Sequence, residues 1–141
     1  YGDTAISWRS TKQTLAATSS NHAELLALHE ASRECVWLRS LVHHIRESCG
    51  LLVKGSPTIL FEDNEACITQ TREGYIKGDR TKHIDPKFFF THELQQRGEI
   101  DVCQIRSCEN PADLFTKALP TSSFEKMVHK IGMRKLRDIL K

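Results

Sequence analysis

Glu24, Asp63 and Asp113 are set apart from the other acids of this 141-residue chain by where they fall. Glu24 lies four residues before Leu28, on what reads as the apolar face of a long helix, and a carboxylate there is costly unless something pairs with it. Asp63 follows Ile59-Leu60-Phe61, a short apolar run suited to a buried strand, so it stands at the strand's carboxyl end, where open α/β sheets bind ligands. Asp113 follows Asn110-Pro111 at the start of another helical segment. Each has a competing reading as a cap. Asn21-x-x-Glu24 is a capping box, Asp63 is placed to cap residues 65–73, and Asn110 and Asp113 flank a helix start. Taken together, three carboxylates from different elements ending at one sheet edge suit a pair of Mg²⁺ or Mn²⁺ ions about 4 Å apart, the arrangement that hydrolyses phosphodiesters.

Other chemistries have less support. His83, Asp85, His92 and Glu93 resemble a zinc set, but adjacent His92 and Glu93 project from different helix faces, and the interval from His83 to His92 matches no helical ligand spacing. No Walker A loop, G-x-S-x-G elbow or G-x-G-x-x-G string occurs. The five cysteines include no C-x-x-C pair, and their odd number argues for reduced thiols rather than a disulfide framework.

The elements that would position these acids follow from the pattern. Thr4–Arg9 is β-prone, and Thr14–Thr18 reads as a loop or second short strand. Ser19-Ser20-Asn21 offers N-caps for a helix running to about Ser48, ended at Cys49-Gly50. Its stripe is Leu28, Ala31, Cys35, Leu38, Val42 and Ile45, widened by Leu25 and Leu41. A strand at Thr58–Phe61 follows, then helices over Glu65–Glu73 and Asp85–Gln96 around a glycine-bearing basic loop, and a strand over Ile100–Arg106. A helix from Asn110-Pro111 is broken by Pro120, and Ser122-x-x-Glu125 is a capping box for a last helix near 123–131. Alternation of this kind means an α/β sheet flanked by helices.

Length and composition fit one domain. Hydrophobic residues make up 39% and charged residues 27%, with a net charge of +2, which excludes disordered, fibrous and collagen-like classes. No apolar run is long enough to span a bilayer and no signal peptide opens the chain, so an intracellular protein without a membrane partner is expected. The first residue is Tyr1, as expected of a processed product or a fragment. Charge is uneven: residues 117–141, a basic helical tail, carry seven Lys/Arg against two acids, leaving −3 for residues 1–116. Lys126, Lys130, Arg134, Lys135 and Arg137 are its candidate phosphate contacts, a solvated helix face being the alternative.

Six strings then make the chain recognisable. Ala5-Ile6-Ser7-Trp8-Arg9-Ser10, Ser19-Ser20-Asn21-His22-Ala23-Glu24, Val36-Trp37-Leu38, Glu62-Asp63-Asn64, Arg80-Thr81-Lys82-His83-Ile84-Asp85 and Ala112-Asp113-Leu114-Phe115-Thr116-Lys117 occur in one order across nearly the whole chain. They resemble the ribonuclease H domain of copia-type retrotransposon Pol polyproteins. The resemblance implies a ribonuclease H-like α/β fold, a mixed sheet flanked by helices and lacking its first two strands, in a single domain over residues 1–141 that is incomplete at its N-terminus. It implies cleavage of the RNA strand of an RNA/DNA hybrid by two Mg²⁺ (or Mn²⁺) ions, with Glu24, Asp63 and Asp113 as catalytic metal ligands. Asn64, Lys82 and His83 are candidate nucleic-acid contacts, the string around Lys82 and His83 having a packing or substrate-loop role rather than a catalytic one.

No residue here matches the aspartate of the family's first strand, and Asp3 falls in a turn, so weak activity or none is expected of these residues alone. The upstream reverse transcriptase region is the implied partner, and a virus-like particle in the cytoplasm, or the nucleus, the implied location. A degenerate or domesticated remnant that binds nucleic acid or protein without cutting is the alternative. The family sheet order, 3-2-1-4-5, leaves Thr4–Arg9 without its neighbours, to re-pair, lie unpaired or swap between copies.

Overall fold

The computed structural model describes residues 4–53, 55–74 and 85–136, with backbone alone at Asp85 and Pro86. They form two compact units, Leu15–Gln104 and a smaller one made of the residues up to Thr14 together with those from Ile105 on. No helix among the described residues is long and apolar enough to cross a membrane, and all five cysteines are free.

The larger unit is built on helix α1, Ser20–Ser48. Its first turn is closed by the Ser19 side chain, which accepts the His22 N–H, so Asn21 lies inside the helix and its amide donates to Gln70 Oε1 at 2.8 Å. The expected Asn21/Glu24 capping box is therefore not formed. Strand β1, Thr58–Glu62, runs parallel to β2, Ile100–Gln104, in a register from Thr58 opposite Ile100 to Glu62 opposite Gln104. Parallel neighbours need a crossover, and helices α2, Glu65–Glu73, and α3, Asp85–Gln96, lie in the connection. α2 ends on Gly74 at φ +65°, where a Cβ would sit 2.6 Å from His92 Nε2, so both the turn and the close approach of α3 require glycine. The α/β class is as expected, and the sheet among the described residues is two parallel strands, compatible with a ribonuclease H-like fold lacking strands.

Leu25, Leu28 and Cys35 of α1 pack with Cys67 and Ile68 of α2, Phe88 and Leu94 of α3, and Ile100 and Val102 of β2. Polar groups within this core are paired: Ser32 donates to the Leu28 carbonyl, Thr91 donates to Ser32, and His29 Nδ1 donates to the Lys87 carbonyl at 3.0 Å. The apolar stripe expected along all of α1 is buried only in its first half. Ala31, Leu41 and Ile45 are exposed and Leu38 and Val42 only half-buried, because past Cys35 the described residues that reach a 29-residue helix are mainly the chain entering β1: Arg39 donates to the Ser56 carbonyl and Thr58 Oγ1, and Arg46 to the Leu52 carbonyl.

The smaller unit holds a 3-10 turn at Ser107–Glu109 and helices α4, Asp113–Thr116, and α5, Thr121–Lys130. The expected capping box at Ser122 is not formed: α5 starts from Pro120, whose ring fixes φ at −55°, and Ser122 is inside the helix. Thr4–Arg9, expected as a strand, is not one. A β-prone run becomes a strand only beside a ladder partner, and here the Ala5 N–H is taken by the Ile131 carbonyl at the end of α5, at 3.0 Å.

Candidate metal centre

Two elements bring carboxylates together in the larger unit. β1 delivers Glu62 and Asp63 at its carboxyl end, and the second turn of α1 delivers Glu24. One ligand oxygen from each of Glu24, Glu62 and Asp63 lies within 4.8 Å of the others. Neither Glu24 nor Asp63 is an N-cap. Ser19 caps α1, and Asn64 caps α2 by accepting the Cys67 N–H at 3.1 Å, which removes the competing readings of Glu24 and Asp63.

Glu62 is the member that sequence reasoning missed, taken only as part of the polar stop after the strand. Strand parity would have found it: Thr58, Leu60 and Glu62 share a face, and Leu60 packs against the core. Glu62 is only 6% exposed, and its Oε1 accepts the Asn64 N–H at 3.0 Å. Burial pushes its carboxyl up to about 7, and the neighbouring charges of Glu24 and Asp63 push the same way. Three acids so close repel one another, and a hard divalent cation is the partner that relieves this; an all-oxygen set fits Mg²⁺ or Mn²⁺. The nearby thiol of Cys67 is driven by burial up to about 12, so it stays a neutral packing group rather than a soft ligand.

Asp113 is in the smaller unit. It opens α4 at a position where the helix dipole favours a negative charge, and its Oδ1 meets Lys117 Nζ at 2.8 Å. The neighbouring Asn110 accepts the Ala112 N–H, so Asp113 is not the cap of that turn. Asp113 also lines a cavity of about 240 Å³ with Ser107, Cys108 and Met127.

The basic candidates are arranged less simply. Lys130 Nζ donates to the Glu109 carbonyl at 2.6 Å, and Arg134 donates to the carbonyls of His129 and Met133, closing the C-terminus of α5. Lys135 lies 4.0 Å from Glu125, and Lys126 is exposed on α5. Asn64 is held by its capping role. Lys82, His83 and Arg137 lie outside the described residues.

Comparison with known proteins finds similarity to polyproteins of mobile elements. It is 32% identical over 129 residues to the retrovirus-related Pol polyprotein from transposon TNT 1-94 of Nicotiana tabacum, covering 92% of this chain and 9% of the relative. It is 28% identical over 135 residues to the Pol polyprotein from transposon RE1 of Arabidopsis thaliana, covering 96% of the chain and 9% of that relative. The Ty1-DR5 Gag-Pol polyprotein of Saccharomyces cerevisiae is 29% identical over 130 residues, covering 89% of the chain and 7% of its own length. No protein-family model matches the chain, and no solved structure does. The chain spans less than a tenth of the polyproteins it matches, at 9% and 7% of their lengths, and over most of its own length it is a homologue of a segment of retrotransposon Pol polyproteins.

Proposed function

We propose that the chain is the larger part of a ribonuclease H-type domain of a retrotransposon polyprotein, acting on the RNA strand of an RNA/DNA hybrid with Mg²⁺ or Mn²⁺. The observation that carries the proposal is the cluster of Glu24, Glu62 and Asp63 at the carboxyl end of β1, in a chain whose relatives are Pol polyproteins. When bound, the metal ions supply a water nucleophile at neutral pH and charge stabilisation at the leaving oxygen. Glu24 and Asp63 are the residues that would hold them. Glu62, fixed by the Asn64 N–H, stands within 4.8 Å of both and adds a third oxygen to the set. Asp113 is assigned to the same activity by the resemblance alone; its Oδ1 meets Lys117 Nζ. The basic surface of the smaller unit attracts the phosphates of the hybrid.

Among the described residues no strand pairs with the outer edge of β1, and this supports the reading, because the family order sets its first strand, with its aspartate, beside the counterpart of β1. A fusion in which the tobacco relative's sequence just upstream of the matched region precedes Tyr1 supplies that strand. With Mg²⁺ the fusion is expected to cut hybrid RNA, and Asp63→Asn to lower the rate by about a hundredfold or more. The 141-residue chain alone is expected to bind hybrid in a salt-sensitive way with little turnover. A fusion that binds hybrid and never cuts it overturns the enzyme reading in favour of a binding module.

A further inference from the structure

Trp8 is 68% exposed, an expensive way to display the largest side chain in the repertoire. It is not loose. Its ring lies nearly parallel to that of Phe115, 12° between planes and 6.2 Å between centroids, and the segment carrying it is tied down by the Ala5 N–H on the Ile131 carbonyl. Phe115 is half-buried on α4 and so backs the indole, leaving Trp8 most of its surface for solvent. A residue needed only to cover Phe115 would bury more of itself.

The surroundings are positive. Among the described residues of this unit there are eight Lys/Arg against three Asp/Glu, and the carbonyl bonds of Lys130 and Arg134 leave their charges in place. Arg9 follows Trp8 directly, while Lys117, two residues past Phe115, is paired with Asp113. A backed aromatic face within a positive field is the combination that holds single-stranded nucleic acid: phosphates supply long-range attraction, and an unpaired base supplies the second ring. Bases inside a duplex are already stacked on each other and do not offer their faces, which selects a single strand over the hybrid.

We infer that Trp8, backed by Phe115, is a stacking platform for an unpaired nucleobase of a single-stranded RNA or DNA segment. Asp113 begins the helix that carries Phe115, so the platform holds strand close to that acid. The inference shares the nucleic-acid part of the proposed function and none of its metal chemistry, and binding measured in EDTA separates the two.

Trp37→Phe leaves Trp8 as the reporting fluorophore of the full chain, since Trp8 and Trp37 are its two tryptophans. Titration with an oligo(dT) and an oligo(U) of equal length is expected to quench Trp8 emission saturably at low salt. An abasic oligonucleotide of the same charge is expected to quench far less. By anisotropy, Trp8→Ala is expected to weaken binding about tenfold with the salt slope unchanged, and Trp8→Phe to retain most of it. A preference between the two oligonucleotides identifies the strand type, and either preference supports the platform. Unchanged affinity in Trp8→Ala overturns it, as does equal quenching by the abasic strand or by a blunt-ended hybrid. Cleavage lost through Asp63→Asn with this binding intact would leave the platform standing.

Discussion

Val102 of β2 and Phe61 of β1 lie on adjacent strands, and each turns its backbone N–H and C=O away from the other strand. At Val102 both groups are met: Arg72 donates to its carbonyl at 2.7 Å, and its N–H reaches Gln95 Oε1 at 3.4 Å. At Phe61 and Ile59, among the described residues, no hydrogen bond reaches the outward groups, and the side chains are 58% and 53% exposed. One edge of the sheet is closed by side chains of α2 and α3, and the other, among the described residues, is open with apolar residues beside it. A sheet finished on one side only can grow only on the other, and the acids at the end of β1 sit on the edge that can grow.

The two faces of the sheet differ as its two edges do, and core truncations test that difference hardest. Phe88, 2% exposed, lies on α3 among the side chains that cover the inner face. Phe88→Ala is expected to cost about 3–5 kcal/mol, read as a lower urea midpoint. Phe61→Ala, on the outer face, is expected to cost no more than about 1 kcal/mol. Equal losses would mean that the outer face is buried in solution.

The next effect lies at the end of β1. In EDTA, Glu62 has a folded pKa of about 7 against 4.5 for an unperturbed carboxyl, so the folded state binds its proton more tightly. Its contribution is present in full below the unfolded value and is lost as pH rises through the folded one. Unfolding free energy should fall by on the order of 2 kcal/mol across that window, and Glu62→Gln, which can still accept the Asn64 N–H, should flatten the fall. His29 acts oppositely. Desolvation lowers its pKa, so its contribution is lost as pH falls, and comparing wild type with Glu62→Gln isolates the carboxyl. A pH profile identical in the two proteins would remove Glu62 from the cluster.

Much of this was legible before any coordinates. The bounds of α2 at Glu65 and Glu73 match the sequence reading, although its cap is Asn64 where Asp63 is the expected one, and the spacing of Leu25, Leu28 and Cys35 marks the buried side of α1. Local signals fail where the outcome depends on a distant partner. Leu41 and Ile45 continue the stripe of α1, but periodicity says which side would be covered and not whether anything lies there. Thr4–Arg9 has strand composition without a ladder, and Ser122 has capping chemistry in a helix that Pro120 has already started. Of the acids, position selected Glu24 and Asp63, while Glu62 needed the strand's alternation to be followed one residue further.

The smallest effect tests the edges themselves. Arg72→Ala removes the donor to the Val102 carbonyl, and a strand carbonyl left without a partner beside the core costs about 1–2 kcal/mol. A matched change on the open edge, Phe61→Thr, keeps strand propensity, removes apolar area already in water, and is expected to stay within about 0.5 kcal/mol. Amide exchange reads the same contrast without substitution. The Val102 amide should exchange at the rate of global unfolding, and the Ile59 and Phe61 amides, facing solvent, much faster. In the fusion that supplies the upstream strand, the Ile59 and Phe61 amides should become protected while Val102 is unchanged, because a new ladder can form only where the edge is open. Protection of Ile59 and Phe61 in the 141-residue chain alone would show a strand already paired there and the two edges alike.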